Sequence, residues 1–264
     1  MSSASSRRLL RRSLYRDIGI STNGTLLAAP QPDRGGKSAA RCLVESGVRT
    51  ANISLDSLDP ESYRLTTGRD FHAAALEGIE AAREAGFEKV KLNCVLMKGR
   101  NDHELFDMVE FADDYGCCLL LRFIELMPVT TAEVLDEDNF LSAGMAKRML
   151  ELRYGKLEPR PDFRTNGPST YYAVPGRDQL VGFIGAMTNL HFCETCNKLR
   201  LTCDGKLRPC LGSFLEFDIM EPLRAGATDA ELAAFFQSVV ARKPEQHDFR
   251  DNYQPNRRMV AIGG

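Results

Sequence analysis

Four short runs rich in apolar and β-branched residues, Asp17–Thr22, Thr50–Leu55, Lys89–Met97 and Cys118–Ile124, begin about 30 to 40 residues apart. The stretches between them carry helical periodicity. Strands separated by one helical crossover pair in parallel, so this alternation commits the first half of the chain to an α/β sheet. Asp59 before Pro60 predicts an N-cap, and Leu76, Ile79 and Ala82 give the following helix an apolar face that stops at Gly86. Asn101 with Glu104 predicts the start of another helix, with Leu105, Met108, Val109 and Ala112 as its buried stripe and Gly116 as its end. Four such strands make part of a barrel or an open sheet, half of what a closed eight-stranded barrel requires.

From about Pro128 the alternation stops, and a polar connection leads to a helix near Phe140–Leu152. A second, smaller α+β region is expected over 128–264, after a partial barrel over 17–127 and an Arg/Ser-rich leader over 1–16. Thr170–Val174 and Leu180–Met187 read as an antiparallel pair across Pro175-Gly176. Leu199–Cys203 and Lys206–Leu211 flank Asp204-Gly205, a strong hairpin signal. Read as a two-residue turn, it pairs Leu199 with Cys210. A last helix opens at Thr228–Glu231 with Leu232, Phe235, Phe236, Val239 and Val240 facing inward.

The formal net charge of −2 leaves no single-sign field for nucleic acid. No apolar run approaches the roughly 18 residues of a membrane span, so no membrane partner is expected. The leader holds five Arg, five Ser and no acid, the composition of a mitochondrial transit peptide, although a fragment start or a spliced-on leader explains it equally well. A cytoplasmic location is expected, with the mitochondrial matrix as the alternative. Gly36-Lys37-Ser38 mimics the end of a phosphate-binding loop, but Gln31 stands where such a loop needs Gly.

Eight cysteines without an apolar signal-peptide core read as reduced thiols rather than a disulfide framework. Cys193, Cys196 and Cys210 are spaced Cys-x2-Cys-x13-Cys, which brings two thiolates to one metal centre and returns a third through the hairpin. The spacing leaves two metals open. Structural zinc needs a fourth ligand, from Cys203 or His191, whereas an iron-sulfur cubane on three thiolates keeps one iron free. Cys42, Cys94, Cys117 and Cys118 read as packing residues.

The segments Ser21–Gly24 (STNG), Asn52–Pro60 (NISLDSLDP), Val90–Asn93 (VKLN), Arg122–Pro128 (RFIELMP), Phe192–Leu211 and the terminal Ile262-Gly263-Gly264 together resemble the GTP 3′,8-cyclase family. These radical S-adenosylmethionine (SAM) enzymes act in the first step of molybdenum cofactor synthesis. The resemblance implies an incomplete (β/α) radical SAM barrel followed by an iron-sulfur domain, and hydrogen abstraction from the GTP ribose with bond formation at guanine C8. It implies that Cys193, Cys196 and Cys210 hold a [4Fe-4S] cluster whose open iron meets the guanine. Ser21, Lys91, Lys198 and Arg200 would line the GTP site, and Ser54, Asn93 and Met127 the SAM site. Gly263 and Gly264 would form a catalytic tail.

The sequence also departs from the family. It contains no Cys-x3-Cys-x2-Cys, the motif of the SAM-cleaving cluster, and no Gly-Gly-Glu-Pro segment, and Lys198 stands where Arg is usual. The expectation is therefore a truncated or split form that cannot cleave SAM alone, joined by a complementing N-terminal chain or by a second copy. The competing readings are a non-catalytic iron-sulfur, purine-nucleotide-binding module and a zinc-stapled structural domain.

Overall fold

In the computed structural model the described residues are 15, 17–116, 119–129, 138–194, 196–251 and 253–262. They divide into two compact units, one holding the described residues up to Glu125 together with Asn139–Gly185, the other those of Leu126–Asp138 and Ala186–Gly264.

The first unit is built on strands β1 (Gly19–Thr22), β2 (Pro30–Gln31), β3 (Lys37–Ser38), β4 (Thr50–Ser54), β5 (Lys89–Leu96), β6 (Leu119–Glu125), β7 (Glu158–Pro159), β8 (Thr170–Ala173) and β9 (Leu180–Ile184). Its helices are α1 (Ala39–Glu45), α2 (Pro60–Thr67), α3 (His72–Ala85), α4 (Leu105–Asp114) and α5 (Ala143–Tyr154). Seven of the strands form one sheet in the order β1-β4-β5-β6-β9-β8-β7. The first five of these run parallel, and β8 and β7 close the far side antiparallel. The fold is α/β with a large parallel sheet, as the strand spacing requires, and it is consistent with the partial barrel that the resemblance implies.

The pleat separates two chemistries. Ile53, Leu92, Leu121 and Val181 sit side by side in the register and share one buried cluster with Ile79 and Ala82 of α3, Val109 and Ala112 of α4, and Ala146 and Leu150 of α5. Helices therefore cover that face. At about 25 cal/mol per Å² of apolar surface removed from water, this cluster is the main source of the unit's stability. The residues in between point to the other face, where Asn52, Ser54, Lys91, Asn93 and Arg122 stand among apolar Leu120 and Ile124.

Several expectations change here. The strands Thr170–Ala173 and Leu180–Ile184 pair with each other as expected, but β9 also continues the sheet beside β6, because Val181 and Phe183 complete the same core. Residues 139–185 thus belong to the first unit, whereas the sequence reading placed its boundary after 127. The single helix expected from Pro60 to Gly86 is two helices, since Gly68 takes a left-handed φ of 68° and ends α2. Asp59 caps α2 as read, accepting from the Ser62 amide. Asn101 makes no helix cap: its carboxamide bonds to the Met97 amide and to the Asp56 and Val95 carbonyls.

The second unit holds a small sheet of β10 (Arg200–Leu201), β11 (Lys206–Arg208) and β12 (Phe217–Asp218), followed by α6 (Met220–Arg224) and α7 (Asp229–Ala241). The hairpin register is shifted by one from the expected pairing: Arg200 faces Arg208 and Leu201 faces Leu207. The cause is the turn. Cys203, Asp204 and Gly205 form a three-residue loop, in which Gly205 donates to the Thr202 carbonyl at 3.0 Å and takes a φ of 82°, the type I plus left-handed glycine geometry. Helix α7 has the expected capping box and buries Val239 against Leu207 and Ile219. Phe236 and Val240, expected inside, are 38% and 55% exposed, because the helix rests on only a narrow stripe.

Candidate functional site

On the polar face of the first unit the register lines up Ser21, Asn52 and Lys91 in one row and Ser54, Asn93, Arg122 and Gly182 in the next. Lys91 is buried, while Ser21 and Ser54 are exposed at or near the C-terminal ends of β1 and β4. Parallel sheets offer ligands their strand C-terminal ends, where loops and unpaired amides gather. Arg122 organises this face. Its guanidinium donates to Asn93 Oδ1 at 2.8 Å and to Asn52 Oδ1 at 2.9 Å, and Asn52 in turn donates to the Ile20 carbonyl. Burial pulls the Arg122 pKa down, and Tyr171 partly restores it. Gly182 makes room for the arginine, since a Cβ there would stand 2.4 Å from Ser169 Oγ and 3.1 Å from Arg122 Cγ.

The loop after β4 is held from beneath. Glu104 accepts from Ser57 Oγ at 2.7 Å and from the Leu58 and Asp59 amides, so the turn that follows Ser54 has its free N–H groups paired with a buried carboxylate. Asp56 accepts from the Val95 amide at 2.8 Å. Burial raises its carboxyl to about 6, against that hydrogen bond, and desolvation with the nearby Asp56 and Glu104 charges pushes the Cys94 thiol well up. Cys94 is an inert packing residue, as is buried Cys42; Cys117 and Cys118 lie outside the described residues.

In the second unit Cys193, Cys196 and Cys210 are half-buried. Burial raises the Cys210 thiol most, the Gly212 amide and Lys243 counter it, and Cys193 and Cys196 push it up further. Three sulfurs thus share one electrostatic neighbourhood. Arg200 joins them: burial lowers its pKa, while Cys196 and Cys210 draw it back up. Lys198 is exposed at the mouth of the hairpin. Among the described residues no three His, Cys, Asp or Glu side chains are grouped around one metal ion. Three thiols with a neighbouring guanidinium to balance their charge suit a cubane, whereas a single zinc requires a fourth ligand.

The residues singled out from the sequence therefore fall into groups. Ser21 and Lys91 share a row, Ser54 pairs with Asn93, and Arg200 lies by the cysteines. Met127 follows β6 by two residues and belongs to the second unit; Gly263 and Gly264 lie outside the described residues. Sequence reasoning missed Arg122, Asn52, Asp56 and Lys243. Arg122 had a signal, a charge inside an otherwise apolar strand; Lys243 had none.

Comparison with known proteins divides the chain before β6, earlier than the two compact units do. A model of the radical SAM superfamily matches residues 4–112, and a molybdenum cofactor synthesis C model matches residues 119–249. A GTP 3′,8-cyclase of Moorella thermoacetica is 43% identical over 248 residues, which cover 94% of this chain and 72% of that protein. One from Thermodesulfovibrio yellowstonii is 39% identical over 97% of this chain and 75% of its own length. A Pseudomonas aeruginosa protein named GTP 3′,8-cyclase 2 is 38% identical with the same two coverages. No helix among the described residues is long and apolar enough to cross a membrane.

Proposed function

Because the chain belongs to the GTP 3′,8-cyclase family of molybdenum cofactor biosynthesis, we propose that it binds GTP and SAM and holds a [4Fe-4S] cluster on Cys193, Cys196 and Cys210. The observation that carries this reading is the half-buried Arg200 beside Cys196 and Cys210, a cation next to sulfurs that gather negative charge when they ligate iron. In the first unit, Ser21 and Lys91 serve GTP, with Lys91 neutralising phosphate charge in a site of low dielectric. Ser54 and Asn93 serve SAM, with Asn93 oriented by Arg122. In the second unit, Lys198 and Arg200 serve GTP, Met127 serves SAM, and the terminal glycines assist catalysis.

In this family the bound SAM, cleaved at its own cluster, supplies the radical that removes hydrogen from the GTP ribose. The residues of this chain bind, orient and neutralise. A second reading rests on the cysteine spacings: none is Cys-x3-Cys-x2-Cys, which favours nucleotide binding without SAM cleavage by this chain by itself. A partner that supplies that cluster, whether a complementing chain or a second copy, belongs to the same proposal.

The decisive measurement is iron, acid-labile sulfide and zinc per chain after anaerobic reconstitution, for the natural sequence and Cys193→Ala. About four iron and four sulfide, lost in the variant, are expected; about one zinc without sulfide overturns the cluster and leaves a structural site. The same preparation, given GTP, SAM and reductant, is expected to bind GTP without turnover. Turnover would sink the second reading.

A further inference from the structure

Lys243 sits just past the C-terminus of α7, and its ammonium reaches across to two backbone carbonyls of the cysteine region. It donates to the Lys198 carbonyl at 2.9 Å and to the Pro209 carbonyl. Those carbonyls lie on opposite limbs of the hairpin, Lys198 two residues after Cys196 and Pro209 one residue before Cys210. The last paired rung of the hairpin is Arg200 with Arg208, so beyond it the ladder no longer sets the distance between the limbs.

The reach is built in by packing. Val239, one turn before Lys243, is fully buried against Leu207 and Ile219, and the Thr228–Glu231 capping box fixes the other end of the helix. The Lys243 amide bonds to the Val240 carbonyl at 3.0 Å, which directs the chain over the hairpin base. A cation at a helix C-terminus is also favoured by the helix dipole.

We propose that Lys243 is the positioning residue of the three-cysteine centre. It clamps the open end of the hairpin so that the Cys196 and Cys210 limbs keep their spacing before metal enters, and its charge offsets part of the negative charge that accumulates once the thiols ligate. It touches neither GTP nor SAM in this role. The inference rests on the reading of Cys193, Cys196 and Cys210 as cluster ligands, and its test has two arms that separate the two ideas.

The first arm uses the full chain, reconstituted anaerobically, as natural sequence, Lys243→Met and Lys243→Arg. Lys243→Met, which breaks both charge-assisted hydrogen bonds, is expected to lose iron to a chelator at least about tenfold faster, while Lys243→Arg recovers most of the difference and the exchange protection of α7 amides stays unchanged. Equal rates of iron loss in all three proteins overturn the proposal. So does a loosening of α7 together with the hairpin, which would mark an ordinary structural contact. The second arm is hydrogen exchange on the metal-free chain. Faster exchange over residues 196–211 in Lys243→Met supports the clamp even where the natural sequence takes up no iron, an outcome that would defeat the cluster reading alone. Unchanged exchange there defeats the clamp.

Discussion

Asp56 shows how a residue next to a candidate ligand site can work against stability. Its carboxyl accepts one backbone hydrogen bond, yet burial raises it from 3.8 to about 6. In a folded chain this favours the neutral form, so the cost of burying the charge is absent below about pH 4, grows as pH rises toward 6, and is complete above it. At 1.36 kcal/mol per pH unit the full cost is on the order of 3 kcal/mol. Asp56→Asn keeps an acceptor for the Val95 amide and removes the charge. Urea unfolding across pH is expected to find the variant more stable at pH 8 and matched to the natural chain near pH 3.5; parallel curves would refute the assignment. Arg122 is the complementary case, a buried cation retained by Asn52 and Asn93. Its position in a run of leucines was visible in the sequence, but its partners were not, because a strand's register is settled by several chain segments at once.

At the scale of elements, the first four parallel strands were legible to within two residues because apolar runs joined by helical crossovers leave so few alternatives, whereas the strands of the hairpin at Asp204-Gly205 are shorter than expected and the two-residue strands β2, β3, β7 and β12 went unread. Helix breaks were less so: nothing in the apolar pattern revealed that Gly68 divides α2 from α3, since a glycine in a helical run is tolerated unless the tertiary structure uses its left-handed φ. Gly78 is a case where the absence of a side chain is required. A Cβ on it would stand 2.0 Å from the Gly24 carbonyl oxygen and 2.8 Å from the carbonyl carbon, so α3 lies directly on the loop that follows β1 and Ser21. Gly78→Ala should therefore destabilise the chain by about 1–3 kcal/mol despite its better helix propensity. A shift of the denaturation midpoint in the stabilising direction would contradict the close approach.

At the scale of the whole molecule, the two compact units differ in what supports them. The first has an extensive apolar cluster shared by the sheet and its helices. In the second, the cluster around β11 and α7 comprises Leu207, Ile219 and Val239 with four partly buried neighbours. Charges add to it. Buried Arg208 donates to Glu216 at 2.7 Å and to Asn256, and Arg257 bridges Asp204 and Glu216, so the hairpin and the following chain are tied ionically. Small cores of this kind depend on a metal or similar staple. Stripping iron from reconstituted protein is expected to speed hydrogen exchange in the second unit while leaving β5 and β6 protected. Equal effects on both units would argue against the division. This division was only partly readable: the end of the alternation near Pro128 marks a real change, but the later return of β9 to the first sheet depends on pairing across a long sequence separation.

The three-residue turn at Cys203–Gly205 also bears on which changes in chain length the hairpin can absorb. Thr202 and Lys206 already flank the loop, with the Thr202 amide bonded to the Lys206 carbonyl at 2.9 Å, so removing Cys203 leaves Asp204-Gly205 as a two-residue loop of the kind that suits a tight hairpin. The pairing of Leu201 with Leu207 is then preserved, and Cys210 keeps its face of the ribbon. The exposed thiol at the tip is thus the one cysteine of this region that evolution, or an engineer, can delete together with its backbone without moving a candidate ligand.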